Sequence, residues 1–167
     1  YMRAHAIPGS SAGGERLLVC INENPANLPV VRSTRRFADR LRAPWTAIHI
    51  ETPQASRLSE TERGLIAEAL RLAEKLGGEV ITIPGQDVGR ALVDYATENN
   101  FTHIVIAKSR RPRWSELLHS SVTYQLIRHA GDISVHVIAR PEVQKSPPRR
   151  PHDAVAKVPD GEGIDLA

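Results

Sequence analysis

With one cysteine, one methionine and 4% aromatic residues in 167 positions, the chain lacks the material for several kinds of chemistry. Cys20 has no second cysteine with which to close an internal disulfide, which fits a reducing, cytosolic compartment. No apolar run approaches the roughly 20 residues that a membrane-spanning helix needs, and the first residues carry no apolar core or cleavage site of a signal peptide. A soluble segment is expected. The few aromatics are not interleaved with basic runs as a single-strand nucleic-acid surface requires, so nucleic acid is not an expected partner. No G-x-S-x-G elbow singles out a serine nucleophile. The seven histidines show no helical i, i+4 pairing: His49, His103 and His136 fall in separate strand-like runs, and His119 and His129 stand ten residues apart. Without a second cysteine, a metal site is not expected. No acid, base or nucleophile assembles into a catalytic constellation, so the segment is not expected to be an enzyme by itself.

What is present supports one good core: 41% of the residues are hydrophobic, enough for a single domain of this length. The net charge of +3 is mild, but basic residues concentrate in 108–113 and 145–150. Residues 1–14 end in Pro8-Gly9-Ser10-Ser11-Ala12-Gly13-Gly14, a linker composition. Residues 141–167 hold Pro147, Pro148, Pro151 and Pro159 with few apolar side chains, and disorder is expected there. The folded unit is expected over 15–140. Because position 1 is Tyr, the chain reads as part of a longer protein.

Inside that unit, short apolar runs alternate with helical periodicity. Strands are expected at 16–21, 45–51, 80–83, 103–107 and 134–138. Between the first two, Pro29 suits a first helical position, followed by Val30, Thr34, Phe37, Ala38 and Leu41. Ser59-Glu60-Thr61-Glu62 reads as a capping box, and Gly77 as the end of that helix. Val88, Ala91, Leu92, Tyr95 and Ala96 mark a third helix, and 115–130 a fourth. Five strands alternating with four helices predict an α/β, flavodoxin-like three-layer fold: a five-stranded parallel sheet in the order 3-2-1-4-5. In that order a ligand crevice lies between the carboxyl ends of the first and fourth strands.

One wall of the crevice is Asn22-Glu23-Asn24-Pro25. The other is the basic loop Lys108-Ser109-Arg110-Arg111-Pro112-Arg113, which feeds a helix carrying Ser120 and Ser121. Arginine forks and helix amides suit phosphate, and asparagine amides suit a base edge or ribose hydroxyl. Equally, the asparagines are good turn formers and the arginines could be a solvated loop. Trp114 could stack on a base or an arginine plane, but reads first as an anchor of its loop, and Trp45 as a structural residue of its strand. The last strand, Ile133 to Ile138, could pair as an edge with a second copy.

The order of elements and Ser120-Ser121-Val122-Thr123 before the last helix and strand resemble the universal stress protein family over about 15–140. In nucleotide-binding members an Asp ends the first strand and a G-x-x-G-x9-G-[ST] loop follows the fourth. Here Asn22 takes the Asp position, and Ala107, Arg110 and Ser120 take the glycine positions, while Ser121 fits the last. Arg110 puts a bulky side chain where the family's backbone approaches phosphate, which argues against ATP held in the usual manner. A closer resemblance is to the stress-protein-like domain of bacterial potassium-responsive sensor histidine kinases. It rests on residues 15–21, Glu51-Thr52-Pro53, Arg113-Trp114, Ser121-Val122, Leu126-Ile127-Arg128 and 131–138. Residues 1–6 resemble the segment that joins this domain to a preceding P-loop domain.

That resemblance implies a sensory input domain on the cytoplasmic side of the inner membrane, within a larger membrane protein that controls high-affinity potassium uptake. Its implied partners are the parent's kinase core and N-terminal domain, and a soluble universal stress protein. The basic tail would lead toward the membrane. Some relatives bind cyclic di-AMP through S-x-S, twenty residues, then F-T-A-x-Y. This chain has Asn22-Glu23-Asn24, twenty residues, then Trp45-Thr46-Ala47-Ile48-His49. The register matches, so Asn22, Asn24, Trp45, Thr46 and His49 join Ser109, Arg110, Arg111, Arg113, Ser120 and Ser121 as candidate nucleotide contacts.

Overall fold

The computed structural model describes residues 14–108 and 122–139. In chain order the elements are β1 (Leu17–Ile21), α1 (Asn27–Leu41), β2 (Trp45–Glu51), a 3-10 turn (Pro53–Arg57), α2 (Glu60–Lys75), β3 (Glu79–Pro84), α3 (Val88–Glu98), β4 (His103–Ala107), α4 (Val122–His129) and β5 (Ser134–Ile138). All strand pairs are parallel, in the order β3-β2-β1-β4-β5, as the alternation of elements predicted.

Side chains alternate across a strand, so central β1 feeds two cores at once. Leu17, Val19 and Ile21 pack with Val30, Val31 and Ala38 of α1 and with Ile66, Ala69 and Ala73 of α2. Leu18 and Cys20 face Leu92, Val93 and Ala96 of α3 and Leu126 of α4. Every residue of β1 is buried, hence its unbroken apolar run Leu-Leu-Val-Cys-Ile; each large side chain there contributes roughly 1.5–3 kcal/mol by leaving water.

The helix ends follow local chemistry. At α2, Ser59 Oγ accepts from the Glu62 amide at 3.2 Å, and the Ser59 amide donates to Glu62 Oε2 at 2.8 Å. This is the predicted capping box. Gly77 adopts φ +85° just beyond the helix. Its amide reaches the Glu74 carbonyl and that of Gly78 the Ala73 carbonyl, the paired bonds of a Schellman stop. Gly78 is needed for a second reason: a Cβ there would lie 2.7 Å from the Trp45 ring. The stops of α1 and α3 were not signalled by glycine. Arg42 at φ 52° follows α1, and Asn100 at φ 56° follows α3, with Ala43 bonding back to Ala38 and Phe101 to Ala96.

Helix α1 starts two residues before Pro29, at Asn27. Proline is tolerated because its position in the first turn requires no intrahelical amide bond. Of the expected helix at 115–130, the described part is Val122–His129.

Candidate functional site

The sheet splits at the predicted place. The register between β1 and β4 runs from Leu17↔His103 to Val19↔Val105. On either side pairing continues further, to Ile21↔His49 and to Ala107↔Ile138. The carboxyl ends of β1 and β4 therefore separate, and the turn after β1 fills the gap.

That turn is built by asparagine side chains acting on the backbone. Asn22 Oδ1 accepts from the Asn24 amide at 3.0 Å, and Asn24 Oδ1 accepts from the Ala26 amide at 2.9 Å. These are two successive Asx turns. The Asn24 carbonyl then accepts from the Asn27 amide at 3.0 Å, and Asn27 Nδ2 donates back to the Asn22 carbonyl. Across the split, Asn24 Nδ2 donates to the Lys108 carbonyl at 3.0 Å, while the Lys108 amide reaches the Ile138 carbonyl at 2.9 Å. Asn24 thus ties the β1 turn to the exit of β4. Two asparagines that could have read a ligand are largely committed to shaping the loop, as their turn-forming character also predicted.

One buried polar atom of this turn is left without a partner. Asn27 Oδ1 is buried without a hydrogen-bond partner among the described residues; leaving such an acceptor unpaired costs about 1–3 kcal/mol. Ser109, Arg110, Arg111, Arg113, Ser120 and Ser121, the proposed phosphate side, lie outside the described residues, as does Trp114.

The remaining candidates divide between the two ends of β2. His49, paired with Ile21, donates from Nδ1 to the Ile21 carbonyl at 2.9 Å, which places it at the crevice end. Trp45 and Thr46 lie opposite Leu17 and Leu18 at the amino end of the sheet. Trp45 is buried in the core between α1 and α2, and Thr46 Oγ1 donates to Glu79 Oε2 at 3.4 Å. The structure gathers Asn22, Asn24 and His49 at one edge and leaves Trp45 and Thr46 at the other. Cys20, under the crevice, has its thiol pushed up to about 12 by burial, with the Glu23 charge adding to it, so it is not a nucleophile at neutral pH.

A second polar cluster, missed in the sequence, stitches the amino ends of β1, β4 and β5. His103 Nδ1 and His136 Nε2 lie 3.0 Å apart, and the Phe37 ring of α1 meets both imidazoles edge-on. Thr102 Oγ1 donates to Glu15 Oε2 at 2.5 Å and accepts from the Arg16 amide at 3.0 Å. His103 Nε2 comes within 2.9 Å of Glu15 Oε2, yet at an orientation that makes no hydrogen bond. Burial, then the His103 charge, lowers the His136 pKa below its ordinary value. The Thr102 bond, more than the nearby His103, lowers that of Glu15. The available signal was parity: His103 and Val105 on one strand, Ser134 and His136 on the next, share a face once the register is known. Among the described residues no three His, Cys, Asp or Glu side chains are grouped to hold a metal.

Residues 14–139 match a family described as the universal stress protein family. The sequence is 35% identical over 136 residues to the sensor protein KdpD of Escherichia coli (strain K12), covering 81% of this chain and 14% of that protein. It is 31% identical over 147 residues to the sensor protein KdpD of Mycobacterium tuberculosis (strain CDC 1551 / Oshkosh), covering 87% of this chain and 17% of that one. The chain therefore spans less than a fifth of these relatives' length. Among solved structures, a universal stress protein in complex with cAMP shares the fold at TM-score 0.60 and 19% identity, over 75% of this chain and 97% of that one. A second, from Archaeoglobus fulgidus in complex with dAMP, aligns at TM-score 0.51 and 20% identity, over 74% and 97% of the two chains. The parallel order of strands, the split between β1 and β4 and the match over 126 positions (14 to 139) lead to one assignment: this chain belongs to the universal stress protein family.

Proposed function

We propose that this chain is a regulatory input domain of a KdpD-type sensor histidine kinase that controls high-affinity potassium uptake, and that it does no chemistry of its own. The observation that carries this reading is the commitment of Asn22 and Asn24 to backbone bonds across the β1–β4 split. It favours a crevice built as a shaped surface over one built as a reaction centre. The likeness to KdpD over most of the chain supplies the context. In this reading the partners are the kinase core and N-terminal domain of the same protein, with a soluble universal stress protein as a scaffold and a second copy of the domain as a further neighbour. The segment sits on the cytoplasmic side of the inner membrane. In this reading the anionic lipid of that membrane attracts the basic residues after Arg140, each worth on the order of 1 kcal/mol. No described helix is long and apolar enough to cross a bilayer. The purified chain should show no ATP turnover; a robust hydrolysis rate that disappears in Asn22→Ala and Arg110→Ala variants would overturn the proposal.

A second reading is favoured by the separation of β1 and β4 at their carboxyl ends and by the cAMP and dAMP complexes of structural neighbours. In it the crevice is a nucleotide sensor, taking ATP or cyclic di-AMP, with Asn22 and His49 on the base side and Arg110, Arg113 and Ser121 on the phosphate side. Calorimetric titration with cyclic di-AMP, ATP and ADP in parallel tests it. Micromolar binding that weakens in Arg110→Ala/Arg113→Ala and at high salt supports the sensor. Silence from all three ligands would leave protein partners as the input.

A further inference from the structure

Helix α1 is strongly basic, and most of that charge is unanswered. It carries Arg32, Arg35, Arg36 and Arg40 against one acid, Asp39, which Arg35 holds at 2.8 Å. Arg32, Arg36 and Arg40 recur every four residues, so they form one ridge. All three are exposed, and among the described residues none of them is in an ion pair. The ridge borders a groove of about 650 Å3 between α1 and the β4–β5 edge of the sheet. Ser33, Arg36 and Arg40 line its helix side, with Phe37, His136 and Ile138 among its floor and far wall. Arg36 donates to Ser33 Oγ at 2.9 Å, but no described carboxylate answers the ridge, and Phe37, Val135, Val137 and Ile138 give the groove an apolar part. The two together call for an occupant bearing both apolar and acidic side chains.

The chain contains such a segment. Residues 159–167, Pro-Asp-Gly-Glu-Gly-Ile-Asp-Leu-Ala, carry Asp160, Glu162 and Asp165 with Ile164 and Leu166, and no basic residue. The chain leaves the sheet at β5, the strand that walls the groove. Eighteen residues (141 to 158), four of them proline, separate Arg140 from Pro159; at about 3.1 Å per residue a Pro-rich chain of that length spans up to roughly 56 Å, long enough to return to the groove. The tether keeps the segment at an effective concentration that on the order of millimolar linkers typically give.

We propose that residues 159–167 dock in the α1–β5 groove of their own chain, with Asp160, Glu162 and Asp165 answering the Arg32–Arg36–Arg40 ridge and Ile164 and Leu166 on the apolar floor. The groove is then a self-occupied docking surface, which a competing acidic partner segment could open. This holds whether or not the crevice between β1 and β4 takes a nucleotide.

A spin label on a Gly163→Cys variant of the full chain tests the docking, since buried Cys20 leaves the introduced thiol as the reactive one. The amide signals of Ser33, Phe37, His136 and Ile138 should broaden. They should recover in about 1 M salt, where the screening length falls to roughly 3 Å. Arg36→Glu/Arg40→Glu should abolish the effect, and adding Asp160→Lys/Asp165→Lys should restore it. Broadening spread evenly, or confined to another face, overturns the proposal. So does broadening seen only when a labelled copy is mixed with an unlabelled one, which would make a second molecule the occupant.

Discussion

The two ends of the β1–β4 seam solve the same problem with different chemistry. Where the ladder runs out at the carboxyl end, three asparagines and the Lys108 carbonyl bridge the strands. At the amino end, Glu15, Thr102, His103 and His136 do so. The first network is neutral and bonds almost wholly to backbone, so it holds its geometry across the physiological pH range. The second includes two groups, Glu15 and His136, whose pKa values the fold lowers. A polar seam can thus be made constant or pH-dependent while the strands between remain the same, and here the constant end is the one that faces the ligand edge of the fold.

The largest expected effect is at the constant end. Asn27 is 1% exposed and holds the Asn22 carbonyl; Asn27→Ala should lower unfolding stability by about 2 kcal/mol, through a lost buried hydrogen bond and the cavity left behind. Urea denaturation should give the same loss at pH 5 and pH 8. A loss that changed with pH would erase the contrast between the two ends.

A smaller, pH-dependent effect is expected at the amino end. The folded-state pKa of His136 lies below its ordinary value of 6.5. Between those two values the unfolded chain binds more protons than the folded one. The stability from a neutral His136 is therefore full above about pH 6.5 and is lost as pH falls toward the lowered folded value. Thermal melts from pH 7 down to pH 5 should show a slope that His136→Gln flattens. An unchanged slope would place the titrating group elsewhere.

The smallest effect is a control outside both networks. Arg42 holds φ 52° at the stop of α1, a conformation that favours glycine, so Arg42→Gly should raise stability by about 0.5 kcal/mol. Equilibrium denaturation would show this as a higher midpoint at every pH.

How legible each feature was depended on how far apart its parts lie in the chain. Local signals carried the strands, the Ser59–Glu62 box and the Gly77 stop, because a few neighbouring residues decide each of them. The strand order followed from alternation and handedness, without knowledge of any contact. The stop at Arg42 was hidden, since arginine does not advertise the left-handed region it adopts there, whereas Asn100 is a residue type that enters that region readily. The His103–His136 pair spans 33 positions and exists only once the β4–β5 register is set. At the crevice, asparagine itself was ambiguous: the amide that could read a ligand is the one that closes an Asx turn, and only geometry separates the two uses. His49 reached the edge and Trp45 did not, because they stand four residues apart along one strand.

The seam also divides the chain along its own sequence. β1, α1, β2, α2 and β3 occupy residues 17–84, and α3, β4, α4 and β5 fall within 88–139. The sheet is thus two contiguous leaves, β3-β2-β1 and β4-β5, zipped by three teeth and clasped at either end. A cut in the loop at 85–87 would sever no paired strand and would leave each leaf on its own fragment. Such a domain is suited to being split and reassembled as a complementation pair.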